Sequence, residues 1–521
     1  MINSDCLART CLSFCVFILS FSGIKGQTPL DDVKFVRQGT KRLIFDESQS
    51  ISLAKLDPAT VIGMQVMYPA NHYLKDSSTV SIKKDLLIVA SERRTETGIW
   101  FAGFNPFSTY TIDINSCTGE GEVGVLFSDS HEKEKMYITI SFDNDKIIDV
   151  RLRGTNDRSV IADKSIKVND QKAPLSGKVI IQMLGSGTVV YLETEGLPQV
   201  IGQTDFSQYL DLREKERIHS FQSRLYFNLE KANVQINGAD MALTTGVGQA
   251  DIRAITYENG DAFFDNGRLW YTMSIRGRAL PHHIQGVFSM NPTTFDLKLE
   301  GIILFDRNDG LLRNEIASHI FYDRINKIWR GITTGFSAYA NPEEKKQLLA
   351  VESKVDPRFG FSVMSATPFG VVGDIEDPHI LFDERDKKWR ILTCENSDGY
   401  KAIILESKHW NKEYKKVAGP VSHNSTGTSI QKINGKFYCF SGSSEPNIFI
   451  YSYPDLKEVG VLNMDLPPWS KTSGSRVWPN VVQLPDGYPF RFVALMMDRF
   501  NYPDMKGPNW TYGGLYLYHG Y

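Results

Sequence analysis

From about Gln38 to Asn237 apolar and polar positions alternate in short runs broken by turn residues. "MYITISFDNDKIIDVRLRG" alternates from Met136, turns at Asp143 to Asp145, and alternates again. "KVIIQMLGSGTVVYL" does the same about Gly185 to Gly187, and "SRLYFNLEKANVQING" reads as a further strand, turn and strand. No long helical period interrupts them. The pattern predicts an all-β, two-sheet β-sandwich over residues 38–238.

After about Ala239 the pattern changes and repeats. "HIFYDRINKIWRGITT" at His319 and "HILFDERDKKWRILTC" at His379 share the histidine, the next isoleucine, the aspartate and the Trp-Arg pair, without a gap. "DAFFDNGRLWYTMS" from Asp261 is a third copy with a tighter turn. "TSIQKINGKFYCFS" from Thr428 and "NVVQLPDGYPFRFVA" from Asn480 are weaker ones. A strand-built period of roughly 50 to 60 residues marks a propeller, and residues 245–521 accommodate five blades.

A propeller assigns these hairpins a geometry. If each copy is a blade's first two strands, the turns lie on one face of the disc and the strand starts on the other. Glu258, Glu315, Glu376 and Asp377 then gather at one mouth with Arg253, Arg276, Arg278, Arg476 and Trp478. Grouped carboxylates perturb one another's ionisation, as acid-base chemistry requires. Trp478 and Tyr339 read as faces for stacking on a sugar ring. Trp329 and Trp389, equivalent on second strands, read as blade packing. His319 and His379 hold equivalent places, which favours packing over catalysis or a water-coordinated channel ion, and His319 also counts among the candidate substrate-binding residues. Ca2+ is the ion considered, and no other cofactor is expected.

Composition narrows the class. Basic and acidic residues number 58 and 61, so nothing favours nucleic acid or a membrane surface as partner. Arg9 and the apolar run "CLSFCVFILSFSGI" read as a signal peptide over residues 1–26, too short to span a bilayer. Phe14 before Cys15 is not the small residue that a lipid-anchor signal requires. The expectation is a secreted or periplasmic protein with no transmembrane segment. Cys117, Cys394 and Cys439 remain, an odd number without metal or redox spacing; Cys394 and Cys439 sit in apolar strand-like runs and read as buried free thiols.

The strand order of the first half resembles the lectin-like, concanavalin-type sandwiches attached to many polysaccharide enzymes. At "EDPHILFDERDKKWRIL" the chain resembles the five-bladed propeller glycoside hydrolases, which include arabinanases, xylosidases and invertases. The resemblance covers the last 280 residues or so as architecture, and as sequence this stretch alone. It implies that Asp377 tunes the general acid. In the first blade the family's aspartate before proline is matched here by Asn259-Gly260, with Glu258 just ahead. In the fourth, its glutamate before glycine is matched by Thr426-Gly427. "TYENG" and "RNEIASHIFYD" are similar to the family that removes a keto-deoxy acidic sugar from rhamnogalacturonan II.

The resulting expectation is an exported, exo-acting glycoside hydrolase whose partner is an oligo- or polysaccharide of plant or algal cell walls. Glu258 and Glu376 form its catalytic pair, either one being the acid, with Glu315 in reserve. Arg253, Arg276 and Arg476 orient an acidic group of the sugar. The alternative is a carbohydrate-binding propeller that does not cut, which the two missing carboxylates favour.

Overall fold

The computed structural model describes residues 28–52, 78–168, 173–185, 187–278, 283–336, 343–443, 445, 447–468, 470, 472, 478–506 and 511–521. The segment read as a signal peptide, Tyr339 and Arg476 lie outside them. The described residues are nearly all β; their one helix is Lys215–Ser220. None of their helices is long and apolar enough to cross a membrane.

The first half is built on two long antiparallel strands, Thr109–Asp129 and Phe221–Thr244, paired over almost their whole length. At one end they recruit Gly177–Leu184 and Leu86–Ser91, and at the other Glu134–Asp143 and Thr95–Gly103. Both ends feed one apolar core through Phe127, Ile138, Val179 and Phe227. The expected two sheets are therefore joined by hydrogen bonds into a single twelve-stranded one. "SRLYFNLEKANVQING" proves not to be a hairpin. It lies within Phe221–Thr244, and its apparent turn is a bulge in which Lys231 takes φ 46°. The hairpins at Asn144 and Gly185 form as expected.

Five four-stranded antiparallel repeats follow. They begin with Gly248–Ala254, Ile316–Asp323, Ile375–Asp383, Thr426–Ile433 and Val481–Gln483. These first strands neighbour one another in order, and the first also lies beside the fifth repeat. The fifth repeat ends with a strand from the other end of the chain, Phe35–Lys41, paired with Leu515–Gly520. The expected boundary at residue 38 is thus corrected: hydrogen bonding assigns this segment to the last repeat. The outer strands of the first two repeats pair in parallel, with Gly301 opposite Gly360. A Cβ on Gly301 would lie 2.6 Å from the Gly360 nitrogen, so the close approach requires glycine there.

The shared aspartate and Trp-Arg pair of the gapless copies prove to be a structural device. Asp323 and Asp383 each bind the arginine seven residues on, Arg330 and Arg390. Each aspartate also accepts backbone N–H groups of its own turn, from Asn326 in one copy and from Arg385 and Asp386 in the other. Each arginine then faces an aromatic ring farther along the chain, Arg330 on Trp410 and Arg390 on Tyr453.

Candidate functional site

Register places a bulge at the same point of four first strands. It falls between Ala250 and Arg253, Ile316 and His319, Glu376 and His379, and Thr426 and Ser429. The leading residue of each bulge is left-handed: Asp251 at φ 55°, Ala317 at 56°, Asp377 at 59° and Gly427 at 60°. This conformation costs a non-glycine residue about 1–2 kcal/mol. Ala317 bears it with no reactive group, so the bulge belongs to the architecture, and it redirects one side chain per repeat. Two of the four positions hold aspartate.

Asp377 is buried. Its Oδ2 accepts the Gly427 N–H at 2.8 Å, and its backbone N–H donates to Thr334 Oγ1 at 3.2 Å. Arg253 Nη2 and Thr428 Oγ1 both donate to its carbonyl, at 2.8 and 2.7 Å. Burial, then the charge of Glu376, push its pKa up to about 7 against the opposing pull of Arg253. Asp251, equally buried, has the opposite setting. Its Oδ2 binds Arg276 at 2.6 Å and its Oδ1 binds Arg499 at 3.0 Å. Burial alone would raise its pKa, but the two guanidinium groups outweigh it and hold the carboxyl below its usual range. Arg499, in the fifth repeat, is itself lowered by burial to about 10. Two carboxyl groups at matching positions are thus driven apart in proton affinity, the pattern expected of an acid and a base.

Glu376 is half-buried beside Asp377. Lys346 Nζ holds its Oε2 at 2.6 Å, and also reaches Asp374 at 3.0 Å and the Tyr400 hydroxyl at 3.1 Å. Glu376, Asp377 and Cys394 have metal-ligand spacing. The donor chemistry opposes a metal, because Lys346 occupies the glutamate and burial pushes the Cys394 thiol well up, keeping its proton. Cys394 and Cys439 are buried and free, as read from the sequence, and so is Cys117.

The other expected site residues are placed elsewhere. Glu258 is at the opposite end of the repeats. It receives Arg324 Nη2 at 2.7 Å and the Arg324 N–H at 3.1 Å, and its carbonyl accepts from Phe382. Phe382 is six residues along the strand from Glu376, roughly 20 Å away. The error lay in the inner strand of the first repeat, which is Gly248–Ala254; Glu258 follows that strand instead of preceding it. Glu315 starts the second repeat but is fully buried and paired with Arg307 at 2.9 Å. Arg276 serves Asp251. Arg253 is buried among the backbone carbonyls of Asp377 and Thr428, with its guanidinium 4.8 Å from the Trp478 ring. Neither arginine faces outward for a sugar.

Trp478 is buried as well, and so corrects its reading as a stacking face. A Cβ on Gly427 would lie 2.6 Å from its ring, so the indole leaves no room for a side chain at this fourth bulge position. His319 and His379 stack on each other, ring centres 3.8 Å apart. Burial lowers His319 to about 3, so it is a neutral packing residue, with Nδ1 accepting from Ile380 and Nε2 facing Thr256. A cavity of about 340 Å³ opens at the turn end, lined by Thr256, Asp261, His379, Gln431 and Lys432. The groups there do not fit a protein-held Ca2+, which takes six to eight oxygens. Asp261 is paired with Lys432 at 2.7 Å, the imidazoles offer nitrogen, and Arg253 adds positive charge beside His379.

Asp251 was missed in the sequence. Its signal was the short segment "GQADIRA", in which an acid and a base stand two residues apart ahead of the first repeat's hairpin.

No protein-family model and no curated protein matches the chain. Among solved structures it is similar to a GH43_1 enzyme from Xanthomonas citri, at 12% identity over 52% of this chain and 87% of that one, TM-score 0.37. It is also similar to an endo-1,4-beta-xylanase from Bacteroides thetaiotaomicron, at 12% identity over 51% and 89%, TM-score 0.35. A third is the catalytic domain of the Coprinopsis cinerea GH62 alpha-L-arabinofuranosidase, at 9% identity over 53% and 91%, TM-score 0.35. Overlaps this loose carry no argument about chemistry, which rests on the residues.

Proposed function

We propose that the protein is an exported glycoside hydrolase, acting from chain ends on a plant or algal cell-wall polysaccharide. In this reading the five repeats are the blades of a β-propeller, and the N-terminal sheet is a β-sandwich beside it. The observation that carries the proposal is the pair Asp251 and Asp377 on matching bulges, one carboxyl kept ionised by two arginines, the other protonated close to neutrality. Glycosidic bonds are cleaved by such a pair. Asp377 donates its proton to the departing oxygen, and Asp251 activates water or attacks the sugar carbon. Glu376 keeps the proton on Asp377, and the Gly427 N–H orients it.

Glu258 and Glu376 lie at opposite ends of the repeats and so do not form the expected catalytic pair. Thr426-Gly427, standing where the resembled family has a glutamate before glycine, favours a second reading, a carbohydrate-binding protein that does not cut. Incubation with a panel of plant and algal polysaccharides separates the two. Released sugar from the wild type, lost in Asp377→Asn, supports the hydrolase. Retained polysaccharide binding with no release from any substrate leaves the binding protein.

A further inference from the structure

We infer that Arg278 receives a carboxylate of the bound sugar, in a subsite at the seam between the N-terminal sheet and the first and fifth repeats. The inference rests on reading this end of the repeats as a sugar site. Arg278 is buried, yet no carboxylate of the described residues lies within ion-pair distance of it. Its Nη1 donates to Gln203 Oε1 at 2.6 Å, while its buried Nε has no partner among the described residues. Every other buried arginine of the described residues pairs with a carboxylate except Arg253, which spans two backbone carbonyls. A guanidinium taken out of water without a counter-charge is costly. An anion that arrives with the ligand removes that cost.

Its placement suits a ligand bound at Asp251 and Asp377. Arg278 lies two residues beyond Arg276, which grips Asp251, so their Cα atoms are at most about 7 Å apart. Across the seam stand Tyr191 and Gln203 of the N-terminal sheet and Tyr502 of the fifth repeat, whose rings meet at 6.0 Å. The Tyr502 hydroxyl is tied to the Pro198 carbonyl, and the backbone of Arg278 hydrogen-bonds Tyr191. Burial pulls the pKa of Arg278 down, and Asp504 favours its charge without forming an ion pair. A guanidinium fork held by Gln203, walled by tyrosines and without a carboxylate of the described residues, suits a planar carboxylate on a ring. The N-terminal sheet thereby becomes part of ligand selection.

The test is calorimetric titration of the full chain with galacturonate and glucuronate, each beside its neutral counterpart, galactose and glucose. At least one acid should bind about tenfold or more tighter than its counterpart, as a charge-assisted contact implies. Arg278→Met should abolish that preference while leaving neutral-sugar binding and Tm unchanged, and Gln203→Ala should reduce it. Absence of any acid preference, its survival in both variants, or equal loss for neutral sugars overturns the inference. Cleavage confined to neutral polysaccharides would do so too, with the hydrolase reading intact. Arg278-dependent acid binding without cleavage would leave this inference standing and remove that reading.

Discussion

Asp251 and Asp377 hold the same bulged position two repeats apart, but two arginines grip the first while a backbone N–H and a neighbouring acid flank the second. Removing the charge should therefore have opposite structural effects at the two sites. Asp251→Asn leaves Arg276 and Arg499 without their counter-charge and should destabilise the protein by about 3–5 kcal/mol. Asp377→Asn removes a carboxyl that resists ionisation and should leave neutral-pH stability unchanged or higher. Both should slow turnover by about 10²–10⁴. Urea denaturation beside initial rates measures both effects, and equal destabilisation by the two variants would contradict the assignment.

The raised pKa of Asp377 also sets a pH dependence. The folded state holds this proton more tightly than the unfolded chain, whose aspartate titrates near 3.8. Its contribution to stability is full below about pH 4 and is lost as pH rises to about 7. Wild type should therefore lose stability relative to Asp377→Asn across that window. Asp251, lowered when folded, acts in reverse, and its contribution disappears as pH falls into the acid range. A stability difference between wild type and Asp377→Asn that is flat with pH would show that Asp377 is ionised throughout.

Turnover should fall on the alkaline side as Asp377 loses the proton it donates, with a midpoint near 7. The Glu376 charge is the second cause of that value, after burial. Glu376→Gln should therefore shift the alkaline limb to lower pH and leave the low-pH plateau in place. Loss of the plateau itself would mean that Glu376 takes a direct part in the chemistry.

What the sequence disclosed was whatever recurs with a fixed side-chain pattern. The hairpins and Trp-Arg pairs were legible because each copy repeats an aspartate, a turn and an arginine that bind one another. The catalytic candidates were not, for a physical reason. A bulge adds a residue to one strand and breaks the two-residue alternation, so "GQADIRA", buried throughout, has no period to read. The excursion from Ile255 to Phe263 then separates this strand from its turn, and Glu258 was assigned to the wrong end. The closing strand Phe35–Lys41 was equally invisible, since its partner lies at the far terminus.

Glu258 provides a control for that correction. It binds Arg324, which is largely exposed, at the end remote from Asp251 and Asp377. Glu258→Gln should leave kcat/KM unchanged and cost at most about 1 kcal/mol, because one partner is solvated. A hundredfold loss of rate would restore this glutamate to the reaction.

Arg390 tests whether the repeated motif holds the repeats together. Its guanidinium is buried and binds Asp383, Asp386 at 2.6 Å and Glu406 at 2.8 Å, and it faces Tyr453 of the fourth repeat. Arg390→Met keeps much of the side-chain volume but leaves the buried Asp383 with two backbone N–H groups of its turn, a tyrosine hydroxyl and, as its remaining cation, the exposed Arg385 at 3.8 Å. A buried carboxylate stripped of its partner costs about 3–5 kcal/mol. The variant should show that loss in urea denaturation, with turnover per folded molecule unchanged, because Asp383 lies at the turn end of its strand. Replacing the partner too, as Asp383→Asn with Arg390→Met, should recover part of the stability by removing the stranded charge. Strict additivity of the two losses would show that Arg390 acts through its packing on Tyr453 and not through the aspartate.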